Sequence, residues 1–345
     1  MPNIFELVQA RDLTAYWETL SQDREPYLGD ELFPARKKMG LKLDWIKGSA
    51  GLPVVLKPSA FDAAAVPRER IGFDKLSTMM PFFKESIYID EELRQELLMV
   101  METGNQAYID SVLNRVFNDE IRLIEAAAAQ RERIRMQALT TGRVAISANG
   151  QSYDFDYGMP NKNKVTVSTS WSDPTANIID QIRTWQDQIE DDHGVRPTRA
   201  VTDRQVWNYI MHNEVIKKSV FVMSNGQATL SDAGLRSYLS EQLDLNVAIY
   251  NKRYKDEAGT VHKFMPSDTF VLMPEGALGN TWFGTTPEEA DLMGSSAANV
   301  SITDTGVAVT TIRKTDPVNV ETKVSQIILP SFEEADHVLI ADITA

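Results

Sequence analysis

The chain of 345 residues has no cysteine. That removes disulfides, thiolate nucleophiles, Fe–S clusters and cysteine-based zinc sites together. It has four histidines, and none of them stands in an HExxH arrangement. No stretch reaches the ~18 consecutive apolar residues that a membrane helix needs. The start, MPNIFELVQARDL, carries acids early and has no long apolar core, so it does not read as a signal peptide. A cytoplasmic product is expected. Positive charge is also short: the formal net charge is −14, which argues against broad nucleic-acid binding. Phosphate-binding and nucleophile motifs are missing as well. GSAG at 48–51 lacks the GxxxxGK[ST] spacing, no GxGxxG follows a strand, and there is no GxSxG elbow. There is no internal repeat and no low-complexity tract.

The remaining clusters of reactive residue types are better explained as surface. DFDYG at 154–158 lacks the downstream glutamate and the ligand count of a calcium loop. EDDH, Glu190–His193, is the most metal-like group, but it falls at a helix C-terminus, where His193 complements the helix dipole. The adjacent pairs Glu288-Glu289 and Glu333-Glu334 read as solvated acids. The six tryptophans are scattered and suit core or interface. The sequence therefore assigns no catalytic, cofactor-binding or metal-binding residue. Absent motifs weigh little against a dispersed active site.

What is present is enough apolar mass, 43% of residues, for a sizeable core. Residues 1–30 read as an arm with a short amphipathic helix around Ile4–Leu20. Residues 31–88 hold five prolines and no long helical period. LKLDWI and LPVVLK alternate as strands around GSAG, which makes a thin two-stranded excursion. Long excursions of this kind are usually functional. From Asp90 to Leu139 there is no proline and one glycine, Gly104, a candidate kink or break. Ile109, Val112, Leu113, Val116, Phe117, Ile121 and Ile124 recur at helical spacing. Unbroken, this helix would span ~75 Å. Val112, Val116 and Phe117 should be buried against strands near 143–157 and 321–340. Arg122, Arg131 and Arg133 should lie at or beyond the edge of that stripe.

TGRVAIS, QSYDFDYG and KVTVSTSW predict a meander with a tight turn at Asn149-Gly150. The C-terminal strands are expected to rejoin it. Asp173 before Pro174 is a helix start, and the helix ANIIDQIRTWQDQIEDDHG stops at Gly194. RAVTD and TFVLMP read as strands, RQVWNYIMH and SDAGLRSYLSEQL as helices, and NVAIYNKRYKD with TVHKF as a hairpin. The alternation over 175–314 suggests an α/β unit.

An arm, a thin excursion and an overlong helix leave surface that one chain cannot cover, so neighbouring copies are expected to cover it. Residues 31–88 carry ten Lys/Arg against six Asp/Glu; residues 1–30 carry two against six, and 315–345 one against six. The candidate contacts between copies are Arg36, Lys37, Lys38, Lys42, Trp45 and Lys47 in the excursion. Trp282 and Phe283 join them, at the end of HKFMPSDTFVLMPEGALGNTWFG. There a strand delivers a glycine-bearing loop beside two aromatic residues. An intrachain turn packed on its own core is the alternative.

The order of these parts resembles one family, the tailed-phage major capsid proteins of the lambda type (capsid E family, Hong Kong 97 fold). Three stretches carry the resemblance: the helical run from YIDEELRQELL through LTTGRVAI, then VHKFMPSDTFVLMPEGALGNTWFG, then DPVNVETKVSQIILPSFEEADHVLIADI. Their order and spacing carry it, since none is an active-site signature. The resemblance implies an α+β fold: an N-terminal arm at 1–30, an extended loop at 31–88, a peripheral domain with a spine helix at 89–171 and 315–345, and an axial domain at 172–314. It implies a non-enzymatic shell subunit without cofactor, assembling in the host cytoplasm with itself into hexamers and pentamers of the virion. Scaffold, portal and decoration proteins are implied partners, and DNA is enclosed without sequence-specific binding. An encapsulin-like compartment shares the fold and is the alternative. A monomeric hydrolase or sugar-binding α/β protein is the third reading.

Overall fold

In a computed structural model the described residues are 8–47, 74–89, 91–103, 105–148, 150–221, 229–256, 258–295, 298–316 and 318–344. The expected strand LPVVLK, the GSAG turn, Gly104 and Asn149 fall outside them. Along the chain come α1 (Ala10–Gln22), α2 (Leu28–Leu32), β1 (Ala35–Lys37), β2 (Lys42–Lys47), β3 (Asp74–Met79) and β4 (Phe82–Tyr88). Helices α3 (Glu91–Thr103) and α4 (Gln106–Thr141) follow, then β5 (Arg143–Ala148), β6 (Gln151–Asp156) and β7 (Lys164–Thr166). Next are α5 (Ile178–His193), β8 (Arg199–Thr202), α6 (Arg204–His212), α7 (Glu214–Val220) and α8 (Asp232–Leu243). The chain continues with β9 (Asn246–Ile249), β10 (Arg253–Lys255), β11 (Val261–Lys263), β12 (Thr269–Met273) and β13 (Thr281–Phe283). It ends with β14 (Asn299–Thr303), β15 (Val307–Thr315), β16 (Val318–Pro330) and β17 (Leu339–Asp342).

Two compact units divide the chain: Met1–Leu43, Thr78–Arg135 and Asn280–Ser331 form one, and Asp44–Ser77, Met136–Gly279 and Phe332–Ala345 the other. The first is built on a six-stranded sheet, β1-β13-β16-β15-β14, with β4 also on β16. β16 holds it together: it pairs antiparallel with β15 over 318–325, with β4 over 321–327, and with β13 over 328–330. Helix α4 supplies Val112, Val116, Ile121 and Ile124, each at most 2% exposed. Burying side chains of this size is worth ~1.5–3 kcal/mol each. Phe117, expected among them, is only half-buried and meets the Tyr16 ring at 6.0 Å. Four-residue steps from Val112 run through Val116, so Phe117 lies about 100° off that line.

The second unit holds a five-stranded sheet in the order β7-β17-β12-β8-β9. Its two outer pairings are parallel and its two inner ones antiparallel. Its core joins Trp171, Ile182, Trp207, Leu239, Phe270 and Leu339. Local chemistry sets its helix ends. Gly194 ends α5 in the left-handed region at φ 72°, as the sequence predicts. Asp203, Asn213 and Ser231 accept from the Val206, Ile216 and Gly234 amides at the starts of α6, α7 and α8.

Of the two alternatives for the helical run, the break holds: it is two helices, ending at Thr103 and restarting at Gln106. Other expectations need correction. The expected three-stranded meander is a β5–β6 hairpin. Its third strand, β7, instead pairs parallel with β17, because the residues between β6 and β7 include Gly158 and Pro160 rather than a hairpin turn. Asp173 does not start α5: it caps a turn through the Thr175 amide at 2.8 Å, and the helix begins at Ile178.

Candidate functional site

β1 and β13 run parallel, with Arg36 opposite Trp282 and Lys37 opposite Phe283. The pairing is anchored at both ends, by Thr281 N to Pro34 O at 2.9 Å and Lys38 N to Phe283 O at 2.8 Å. Lys37 Nζ reaches Gly284 O at 3.3 Å and Glu289 Oε2 at 2.5 Å. Gly284 is needed for this approach: a Cβ there would stand 2.7 Å from Ile327 Cγ2 and 3.0 Å from Gly40 O. Gly40 turns the chain at φ 86°, where a side chain is strained. The turn carries Met39, 88% exposed, with Leu41 exposed after it; Met79, near the end of β3, is exposed as well. Met80 N binds Leu41 O, which brings these two segments together. The base of the excursion thus offers exposed apolar side chains interleaved with Lys37, Lys38 and Lys42. Isolated exposed apolar residues are ordinary; here three fall on adjoining segments beside basic residues.

The predicted contact residues divide. Arg36, Lys37 and Lys42 are exposed, and Lys38 and Trp282 are half-buried. Trp282 Nε1 donates to Ser331 Oγ at 3.1 Å. Phe283 is 1% exposed, under Gly306 and 5.8 Å from the Arg131 guanidinium. Trp45 is 6% exposed against Phe155 and Tyr157, at ring distances of 5.5 and 5.8 Å. Both aromatic side chains are therefore core of this chain, and the apolar surface is carried by Met39, Leu41 and Met79, which sequence reasoning missed. Their signal was an apolar residue on either side of Gly40 in an otherwise basic stretch. The Lys47 side chain lies outside the described residues.

Two further expectations change. Arg131 is not at the stripe edge. It is buried, with Nη2 2.7 Å from Asp304 Oδ2, while Arg122 is exposed beside Asp119. Burial pulls the Arg131 guanidinium down and Asp304 opposes this. Glu288 is not solvated but 4% exposed, held by Lys323 at 2.7 Å and Ser325 at 2.9 Å. Four residues along α4 from Arg131, Arg135 is buried too. It donates to Thr281 Oγ1 at 2.8 Å and Asp30 Oδ1 at 2.5 Å, while Glu132 accepts from Gly29 N at 3.2 Å. This ionic cluster ties α2 and β13 to α4.

The acidic groups singled out for metal chemistry are engaged elsewhere. Arg196 takes Asp187 and Glu190 at 2.7 and 2.6 Å, and Lys162 takes Asp192 at 2.5 Å. His193 meets the His337 ring edge-on at 4.9 Å. Asp154 is bound by Arg143 and Asp156 accepts from Gly158 N. Among the described residues no three His, Asp or Glu side chains are grouped to hold a metal, and no helix is long and apolar enough to cross a membrane.

The family profile described as phage major capsid protein E matches residues 9–343. No curated protein matches the chain. Among solved structures, one described as the capsid protein of a prophage of E. coli CFT073 is similar over 98% of this chain and 99% of that one, with 16% identity and a TM-score of 0.61. A phage-related protein from Bordetella bronchiseptica RB50 is similar over 97% of both chains, at 12% identity and TM-score 0.58. The capsid asymmetric unit of cyanophage A-1(L) is similar over 91% of both, at 12% identity and TM-score 0.53. At such identities these likenesses bear on the fold.

Proposed function

Because the chain belongs to the phage major capsid protein E family, as a structural protein of the icosahedral head shell and not an enzyme, we propose that the base of its excursion is where one copy meets the next. The observation that carries this is the exposure of Met39 and Met79, 88% and 62%, beside a Gly40–Gly284 approach that fixes the turn. Exposed residues at such a fixed turn suit a partner surface. Arg36, Lys37, Lys38, Lys42 and Lys47 add positive charge that acidic arms and C-terminal segments of other copies complement. Trp282 contributes from the half-buried edge, whereas Trp45 and Phe283 act by holding the strands beneath.

In this reading residues 1–30 are the arm and 31–88 the extended loop. Residues 89–171 with 315–345 are the peripheral domain and 172–314 the axial domain, a division that differs from the compact units, in which β15 goes with β16 and β17 with β12. The copies form hexamers and pentamers, with scaffold, portal and decoration proteins as partners, and assemble in the host cytoplasm around DNA that they do not read. The family makes the chain a virion component. A cargo compartment of the same fold gains no support over the phage shell.

The test is Met39→Asp with Met79→Asp. Exposed substitutions change stability by about ±0.5 kcal/mol, so the melting temperature should hold while shells or capsomers disappear from sedimentation profiles. Normal assembly of the double variant would refute this contact. Deleting residues 41–56 is a poorer test, because Leu43 and Trp45 are core side chains.

A further inference from the structure

The stripe by which α4 meets β16 contains one acid. Val112, Val116, Glu120 and Ile124 follow at four-residue steps, and all are buried, Glu120 at 3% exposure. The two-residue period of β16 turns Val320, Thr322, Val324 and Gln326 to one face. That face meets the helix, since Gln326 Nε2 donates to Ala127 O at 2.9 Å. Thr322 is fully buried, and its hydroxyl is the side-chain donor beside the Glu120 carboxyl. The contact is loose: neither Glu120 oxygen nor Thr322 Oγ1 closes a full hydrogen bond.

No cation among the described residues compensates this carboxyl. Asp119, the charged neighbour acting on it, is itself an acid. On β16, Glu321 and Lys323 alternate to the opposite face, where they pair with Lys314 at 2.9 Å and Glu288 at 2.7 Å. Arg313 on β15 and Glu85 on β4 are exposed. On α1, Tyr16 bonds Asn118 and Arg24 pairs with Glu125. A carboxylate buried without a cation is costly, whereas the neutral acid has no charge to desolvate.

We propose that Glu120 is a proton-controlled latch: its neutral acid form lets the middle of α4 seat on the sheet, and its carboxylate form, buried without a cation, loosens that stretch. Burial pushes the carboxyl up to about 7 from 4.5; Thr322 opposes the rise and Asp119 adds to it. The folded value lies above the unfolded one. The stabilisation from the acid form is therefore complete below the ordinary carboxylate value and is lost as pH rises through about 7. Both forms are populated near neutrality, so small pH changes alter how firmly the helix is seated. The inference concerns the subunit itself and does not depend on where copies meet.

The test is hydrogen–deuterium exchange of the full chain at about pH 5.5 and about pH 8.5, corrected for intrinsic rates. It compares wild type with Glu120→Gln, which keeps the shape of the neutral acid and carries no charge. Amides of 112–124 in the wild type should lose about thirtyfold in protection between the two conditions, and the glutamine variant should change by less than about threefold. An equal loss in both proteins would overturn the proposal. Should Glu120→Gln not fold, Thr322→Val decides: without the hydroxyl the wild-type loss should move to higher pH, and an unmoved profile would overturn the latch.

Discussion

Arg135 is 2% exposed and divides its guanidinium between Thr281 and Asp30, with Glu132 3.8 Å away. Asp30 is half exposed, but Glu132 is fully buried, and removing the cation beside a buried carboxylate costs ~3–5 kcal/mol. Arg135→Ala should therefore lower the stability of the full chain by about that amount in urea unfolding. Arg122→Ala, which loses only an exposed pair at 3.5 Å, should cost at most ~0.5 kcal/mol. Similar losses for the two would contradict the buried cluster. The sequence could place Arg122 on the outer face of the helix, because spacing alone fixes that. It could not place Arg131 or Arg135, whose partners Asp304 and Asp30 lie 173 and 105 positions away. Glu288 was misjudged for the same reason: a pair of acids looks solvated until Lys323 is brought to it.

Helices were legible where their signals are local. The Gly194 stop of α5 and the apolar period of α4 depend on residues within a turn or two. Strand partners were not, because a strand of three residues such as β7 carries too little pattern to choose between β6 and β17. The β14–β15 turn illustrates what only packing reveals. Asp304 and Thr305 both have positive φ, 45° and 72°, a conformation that a β-branched threonine adopts at a cost. Asp304 is held there by Trp17 Nε1 at 3.1 Å and by Arg131. The next residue, Gly306, sits against Phe283, and an added Cβ would lie 2.7–2.9 Å from that side chain. Gly306→Ala should destabilise the chain by ~1–3 kcal/mol through overpacking. Pairing it with Phe283→Leu, which frees space, should recover part of that loss. A neutral Gly306→Ala in thermal unfolding would show that the turn yields more easily than its contacts imply.

For the whole molecule, the order of parts along the chain was the most legible feature, and it does not depend on a single residue. The match to phage major capsid protein E over residues 9–343 agrees with that order. The contact surface was only half legible, because aromatic residues in a loop look like partners until the core claims them, as it does Trp45 and Phe283. A net charge of −14 leaves little excess positive charge to hold nucleic acid. The central claim is that copies of this chain build a closed shell, and electron microscopy of the purified full chain in negative stain tests it most directly. The account predicts closed particles, or the rings and tubes of capsomers. A chain that stays a uniform 38.7 kDa monomer at high concentration, with no particles in any field, would contradict it.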